Sequence, residues 1–175
     1  MILNENIPEI KVMGFKSYIN DVKSTLERVN ALEKNLSCMI QLLDARGIAG
    51  KEHVYNAVLH ALNSFKRKNN IANDLGMEIC VRASAQRQIS RAIEILGLKT
   101  GPMDICVVLV GCKSSSVDMN VENLFNDIFD RDDSVLEPDE NILKDIYGLK
   151  NDELHILGSL PYTLIERTTL LILDA

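Results

Sequence analysis

The stretch DICVVLV, at Asp104–Val110, places six apolar residues in a row after a single charged one. An uninterrupted apolar run is typical of a strand covered on both faces, because an exposed face would show polar residues at alternate positions. We therefore predict a central strand here. Outward from it, shorter apolar runs predict four further strands: Ile10–Phe15, Ser37–Leu43, Met77–Arg82 and Leu170–Leu173.

Apolar residues at helical spacing predict helices between these strands. The clearest is Lys51–Phe65, whose apolar residues step by three and one along one face and which leads into the cations Lys66–Lys68. Cations are favoured at a helix C-terminus by the helix dipole. Three other predicted helices begin at N-cap residues: Asn20 or Asp21, Ser84, and Ser159. Further helices are predicted over Val117–Phe129 and Asp139–Tyr147, and a turn or two of helix over Asn151–Leu157.

Strands alternate with helices through residue 110, and the remainder is mostly helical. This order predicts one α/β domain over residues 1–175, with a small mixed or antiparallel sheet surrounded by helices. No run of about 18 apolar residues predicts a membrane-spanning helix. The start, MILNENIPEIK, lacks the basic and apolar regions of a secretory signal. We therefore expect a cytoplasmic protein.

The net charge of −6 argues by itself against binding to nucleic acid, but it conceals a division. Residues 1–101 hold 14 basic and 10 acidic residues, a net +4, whereas residues 102–175 hold 5 and 15, a net −10. Charge asymmetry of this kind points to two different partner surfaces.

Motifs for metals and cofactors are weak in this sequence. The four cysteines form no C-x-x-C pair, and three of them lie in apolar runs, so neither a zinc site nor a disulfide framework is expected. His53 falls in the first turn of a predicted helix, where we expect a surface role rather than metal ligation. We expect no metal, no cofactor and no catalytic constellation, and hence not an enzyme.

One polar segment remains a candidate site. In RASAQRQ, residues 82–88, Arg82 would end a strand and Ser84 would begin a helix, whose free N–H groups favour an anion. Arg87 and Arg91 would add a phosphate-binding pair. The alternative, which stays open, is that these arginines only solvate the surface or pair with Glu78 and Glu94.

Three segments together resemble a known family: DARGIAGKEHVYNAVLHALNSF, EICVRASAQRQISRAIEILGL and IYGLKNDE. They are similar to the kinase-binding subunit of the KEOPS complex, the family that includes PRPK-binding protein, and the archaeal members are the most similar. The resemblance covers most of residues 10–167. It implies an α/β fold and a non-catalytic subunit of a complex that installs threonylcarbamoyl groups on tRNA.

The resemblance also implies partners. The direct one is the small atypical kinase/ATPase of the complex, bound at its N-terminal lobe, and the transferase and dimerisation subunits are indirect ones. Archaeal members also bind tRNA, notably its single-stranded 3′ end. Candidate tRNA-binding residues are Arg82, Ser84, Gln86, Arg87, Arg91, Lys51, His53, Lys66 and Lys68.

Candidate kinase-binding residues lie in the C-terminal elements: Leu157, Leu160, Tyr162, Leu164, Ile165 and Leu171. The final helix has apolar residues on more than one side. For the tail after Leu170, an internal strand buried on both faces is an equal alternative. A rival function is a regulatory domain that binds a small molecule or nucleotide at loop 82–86.

Overall fold

The central strand predicted from DICVVLV is present, within an antiparallel sheet. The computed structural model describes residues 7–112, 129–150 and 159–173. In these residues, the strands are β1 (Ile10–Ile19), β2 (Met39–Asp44), β3 (Gly101–Val110) and β4 (Asp130–Arg131), in the order β2-β3-β1-β4. All neighbouring strands pair antiparallel. The prediction of an α/β domain with a small sheet among helices is confirmed.

The helices cover the two faces of this sheet unequally. They are α1 (Val22–Leu36), α2 (Lys51–Arg67), α3 (Leu75–Ala83), α4 (Ile89–Leu96), α5 (Glu140–Tyr147) and α6 (Leu160–Leu173). Short 3₁₀ segments occupy Ala45–Gly47 and Asp133–Leu136. Helix α1 packs on one face, and α2, α3 and α4 pack on the other.

Strand β3 supplies side chains to both cores. Ile105, Val107 and Leu109 face α1, whereas Cys106 and Val108 face α2 and α3. Every residue from Ile105 to Val110 is buried. Because successive side chains of a strand alternate between faces, a strand buried on both sides is apolar throughout, which explains the run that the sequence shows.

Two predicted strands are helical. Met77–Arg82 lies within α3, where the Asp74 side chain accepts a hydrogen bond from the Met77 N–H (2.8 Å) and caps the helix. Leu170–Leu173 is the end of α6. Short apolar runs fit a buried strand and a buried helix equally well, so the pattern alone did not separate them.

Other boundaries follow the sequence closely. Asp21 caps α1 through the Ser24 N–H, and Asp139 caps α5. Gly50, which precedes α2, has a φ of 89°, a conformation that glycine adopts without strain. Ser84 does not begin a helix, because it follows the end of α3. The helix predicted over Val117–Phe129, except Phe129, and the turns predicted at Asn151–Leu157 lie outside the described residues.

The expectation of no disulfide is wrong. Cys38, just before β2, is bonded to Cys112, just after β3, and the two residues are 74 positions apart. Because β2 and β3 pair with Met39 opposite Val110, their ends bring the two cysteines together. Sequence spacing carries no trace of this pairing. Cys80 and Cys106 are free and buried.

We expect removal of this cross-link to destabilise the fold. The double variant Cys38→Ser/Cys112→Ser should lose about 4 kcal/mol of unfolding free energy, since the unfolded chain regains the entropy of a long loop. Chemical denaturation without reductant measures the difference. Reductant should lower the stability of the unsubstituted protein to that of the variant, and equal stability of the two oxidised proteins would contradict the prediction.

Candidate functional site: a divided basic surface and an apolar groove

Helices α2 and α3 form an antiparallel pair, and several of their polar side chains are buried. His53, at the start of α2, contacts Ala83 at the end of α3. Ser64, near the end of α2, donates a hydrogen bond to Glu78 in α3 (3.0 Å). The 82–88 segment therefore lies beside the start of α2, and the Lys66–Lys68 cations lie at the opposite end of the pair.

Arg82 belongs to the interior. Its side chain is 3% exposed, and its guanidinium nitrogens lie 2.7 and 2.8 Å from Oε1 of Glu78. The other carboxylate oxygen of Glu78 accepts the N–H groups of Ile71 and Ala72 at 2.8 and 2.7 Å. A buried ion pair that is fully hydrogen-bonded is structural. The sequence left open that Arg82 pairs with Glu78, and the structure shows this pairing. The prediction that Arg82 lies at the surface is wrong.

The anion argument for loop 82–86 also fails. Ser84 is fully buried and its hydroxyl donates to the Val81 carbonyl oxygen (3.0 Å). The Gln86 N–H donates to the same carbonyl (3.2 Å), and its half-buried side chain donates to Ser84 (3.3 Å). This loop ends a helix, where carbonyl oxygens and the negative end of the dipole disfavour an anion. Helix α4 begins only at Ile89.

His53 is fully buried, so its predicted surface position is wrong. Its Nδ1 accepts the Ala49 N–H (3.1 Å), and its Nε2 lies 2.9 Å from the Ala83 carbonyl oxygen, to which it donates. These two bonds define a neutral ring protonated at Nε2. Burial lowers the pKa of His53 to about 4, against the opposing effect of the Ala83 hydrogen bond. The ring joins the loop before α2 to the end of α3.

This histidine should make stability depend on pH. Because its pKa is lower in the folded state, the unfolded chain binds the extra proton between pH 6.5 and about 4, so stability falls as pH falls through that window. The His53→Leu variant should lose about 1–3 kcal/mol of unfolding free energy at pH 7.5, since the Ala49 N–H loses its hydrogen-bond partner and the Ala83 carbonyl oxygen keeps only the longer bond from the Tyr147 hydroxyl (3.4 Å). Denaturation at several pH values should show a weaker pH dependence in the variant; an unchanged slope would contradict the assignment.

The remaining cationic candidates are exposed but separated. Lys51 begins α2 and its Nζ lies 3.1 Å from Asp133. Lys66 and Lys68 lie at the other end, about 22 Å away at the helical rise of 1.5 Å per residue. Arg87 is exposed between α3 and α4, and Arg91 in α4 pairs with Glu94. The structure therefore holds two basic regions rather than one face.

The candidate kinase-binding residues of the C-terminal elements divide into buried and accessible ones. Leu160 and Leu164 are buried in a small core with α5 residues Leu143 and Tyr147. They are not available to a partner, so their predicted place at a surface is wrong. Tyr162 is 58% exposed, and Ile165 is half-buried. Leu157 lies outside the described residues, as does the side chain of Leu171.

An apolar groove of about 470 Å³ runs beside α2. We define the α2–β1 groove by its lining residues: Ile10, Val12, Lys51, Glu52, Tyr55, Asn56, Leu59 and Ile165. Tyr55 is 44% exposed at its rim. The groove was not predicted, because its walls come from three elements that are distant in sequence.

A second, polar pocket of about 360 Å³ lies between α4 and α5. Buried Asp44 there accepts hydrogen bonds from Arg46 (2.9 Å) and Lys99 (3.0 Å). Burial alone would raise the pKa of Asp44, but hydrogen bonds from the two cations hold it below its usual value. Since Glu94 and Asp145 also line the pocket, its acidic groups balance its basic ones, which disfavours a polyanion.

Within residues 7–112, 129–150 and 159–173, no three His, Cys, Asp or Glu side chains are grouped as metal ligands. None of the helices described there is both long and apolar enough to cross a membrane. What the described part of the chain offers is exposed apolar surface and basic side chains. These features define a small α/β domain suited to binding other macromolecules.

Comparison with known proteins identifies the family. Residues 17–170 match the family model described as kinase binding protein CGI-121, and the chain belongs to this family. It is 37% identical over 126 residues to "Regulatory protein Cgi121" of Methanocaldococcus jannaschii. The aligned region covers 70% of this chain and 79% of the relative. The resemblance seen in the sequence is confirmed.

Proposed function

We propose that this chain is the accessory subunit of KEOPS that binds the small kinase/ATPase and helps to recruit tRNA through its single-stranded 3′ end. The observation that carries the proposal is the match to the kinase-binding family over residues 17–170. The subunit itself performs no chemistry and needs no cofactor. Its contacts with the transferase and dimerisation subunits are indirect.

The exposed apolar side of α6 and the adjoining α2–β1 groove are the proposed kinase-binding surface. Tyr162 is 58% exposed, more than any other large apolar side chain of α6 that the structure describes, and Ile165 lines the groove beside Tyr55. Aromatic residues at protein interfaces commonly contribute much of the binding free energy. Of the residues proposed from the sequence, Tyr162 and Ile165 are the ones whose described side chains a partner can reach.

Tyr162→Glu should weaken kinase binding at least tenfold, since it places a charge where an apolar contact forms. The matched control is Tyr18→Glu on β1, because Tyr18 is 66% exposed. Titration calorimetry with the purified kinase should separate the two variants. Equal affinity of both variants would place the kinase on another surface.

For tRNA, the proposal now depends on the accessible members of the original set: Gln86, Arg87, Arg91, Lys51, Lys66 and Lys68. Arg82, Ser84 and His53 are committed to internal hydrogen bonds. Arginine and lysine neutralise phosphates and release counterions, and an arginine also stacks on an unpaired base. With few aromatic residues in the chain, arginine stacking is the main route to hold a 3′ end.

Arg87→Glu should weaken tRNA binding about tenfold, and Arg87→Ala should reduce the salt slope of binding by about 0.7, the value for one single-strand phosphate contact. Arg28→Glu on α1 is the matched control, because Arg28 is also exposed but its helix covers the opposite face of the sheet. Gel-shift titrations at several salt concentrations measure both quantities. If the two charge reversals have the same effect, the loss is general electrostatics and Arg87 is not a contact.

We place the protein in the cytoplasm, where tRNA is modified. The Cys38–Cys112 disulfide would then group it with intracellular proteins of hyperthermophiles, which are an exception to the rule that cytosolic thiols stay reduced. The rival function, a nucleotide-binding regulatory domain, depended on a helix beginning at Ser84. Because α3 ends there instead, no observation favours it.

A further inference from the structure

The last carbonyl groups of α3 are bound by side chains from three other helices. The Arg82 carbonyl oxygen accepts a hydrogen bond from the Thr168 hydroxyl of α6 at 2.7 Å. The next carbonyl oxygen, of Ala83, accepts from Nε2 of His53 in α2 at 2.9 Å and from the Tyr147 hydroxyl of α5 at 3.4 Å. Since the final carbonyl groups of a helix have no partner further along it, these contacts fix where the chain leaves α3.

The Arg82 carbonyl oxygen also shapes the 82–88 segment. It accepts the N–H of Ala85 at 3.1 Å, because one carbonyl oxygen can accept two hydrogen bonds. Ala85 has a φ of 51°, a left-handed conformation that costs free energy for a residue with a Cβ. This turn depends on its hydrogen bonds, so the position of Arg87, two residues later, depends on the contacts of the Arg82 carbonyl group.

Thr168 connects this carbonyl group to the helix of the proposed kinase-binding surface. On α6, Leu164 and Thr168 are fully buried, whereas Tyr162 is exposed and Ile165 is half-buried. Among the residues of α6 after Leu164 whose side chains the structure describes, Thr168 is the buried one. Its hydroxyl group thus joins the second half of α6 to the end of α3.

We propose that the kinase-binding and tRNA-binding surfaces are coupled through Thr168, a positioning residue that transmits the packing of α6 to the 82–88 segment. The inference rests on the proposed function for both partners. With α6 packed on α3, the Thr168 hydroxyl binds the Arg82 carbonyl group. With the second half of α6 displaced, that carbonyl group loses this bond and keeps the Ala85 N–H.

The coupling has a definite sign. The kinase contacts α6 in its packed state, and a ligand shifts an equilibrium through contacts that differ between the two states. An RNA bound at Arg87 favours the same state, because it needs the ordered 82–88 segment. Each partner should therefore raise the affinity of the other, by the same factor in both directions.

The test measures the affinity for a short, labelled single-stranded RNA of the tRNA 3′-end sequence by fluorescence anisotropy, with and without saturating purified kinase. In the unsubstituted protein, the kinase should raise this affinity about fivefold. Thr168→Val is similar in shape but lacks the hydroxyl, so the kinase should change its RNA affinity by less than about twofold. Thr168→Ser keeps the hydroxyl and is the matched control, which should retain the coupling.

Hydrogen exchange gives a second readout that needs no variant. Binding of the kinase should slow the exchange of the Ala85 amide at least about threefold, since it suppresses the local opening in which α6 is displaced. Ala85 lies outside the proposed kinase-binding surface, so direct shielding by the kinase is not the cause. An unchanged exchange rate overturns the coupling, whether or not Thr168→Val folds.

The outcomes separate this inference from the proposed function. If the kinase and the RNA both bind the unsubstituted protein but neither changes the affinity of the other, the coupling is overturned and the accessory function stands. An equal increase in Thr168→Val and Thr168→Ser would show that the RNA gains contacts with the kinase itself, which also overturns the coupling. If the kinase or the RNA does not bind at all, the function and the inference are both overturned.

Discussion

Burial of β3 on both faces requires a layer of helices on each side of the sheet. Its residues from Ile105 to Val110 are all buried, and they divide between the α1 core and the α2–α3 core. Neither core could form without this strand, which pairs along its full length with β1 and along its second half with β2. Within the described residues, the surfaces left for partners are then mainly the outer sides of the helices.

Much of this architecture was visible in the sequence because local rules specify it. The continuous apolar run predicted β3, and the three-and-one spacing in Lys51–Phe65 predicted α2 within two residues of its end. The strand prediction for Met77–Arg82 was wrong because apolar residues such as Ile79 and Val81 occur in buried helices as well as in buried strands. The outcome depended on Asp74, whose side chain caps a helix, and on Glu78, whose carboxylate holds the Ile71 and Ala72 N–H groups of the preceding turn.

The candidate site was harder to predict, since whether a polar residue is exposed is decided by tertiary packing. Arg82 and Arg87 are both arginines in one polar segment, but one completes a buried ion pair and the other is exposed. The spacing of Glu78 and Arg82, one helical turn apart, would have indicated the pair had the helix been recognised. The Cys38–Cys112 bond and the α2–β1 groove join residues too distant in sequence for any local pattern to signal them.

The same ion pair changes how the charge division should be interpreted. Arg82 is neutralised inside the fold by Glu78, and Lys51 and Arg91 are paired at the surface with Asp133 and Glu94. The net +4 of residues 1–101 therefore overstates the field that a polyanion meets. Since Asp133 belongs to the acidic C-terminal part, that part also acts within the molecule: it holds the start of α2 against β1. Lys51 at the start of α2 is thus neutralised by Asp133 within the molecule, and the adjoining groove is apolar and nearly neutral.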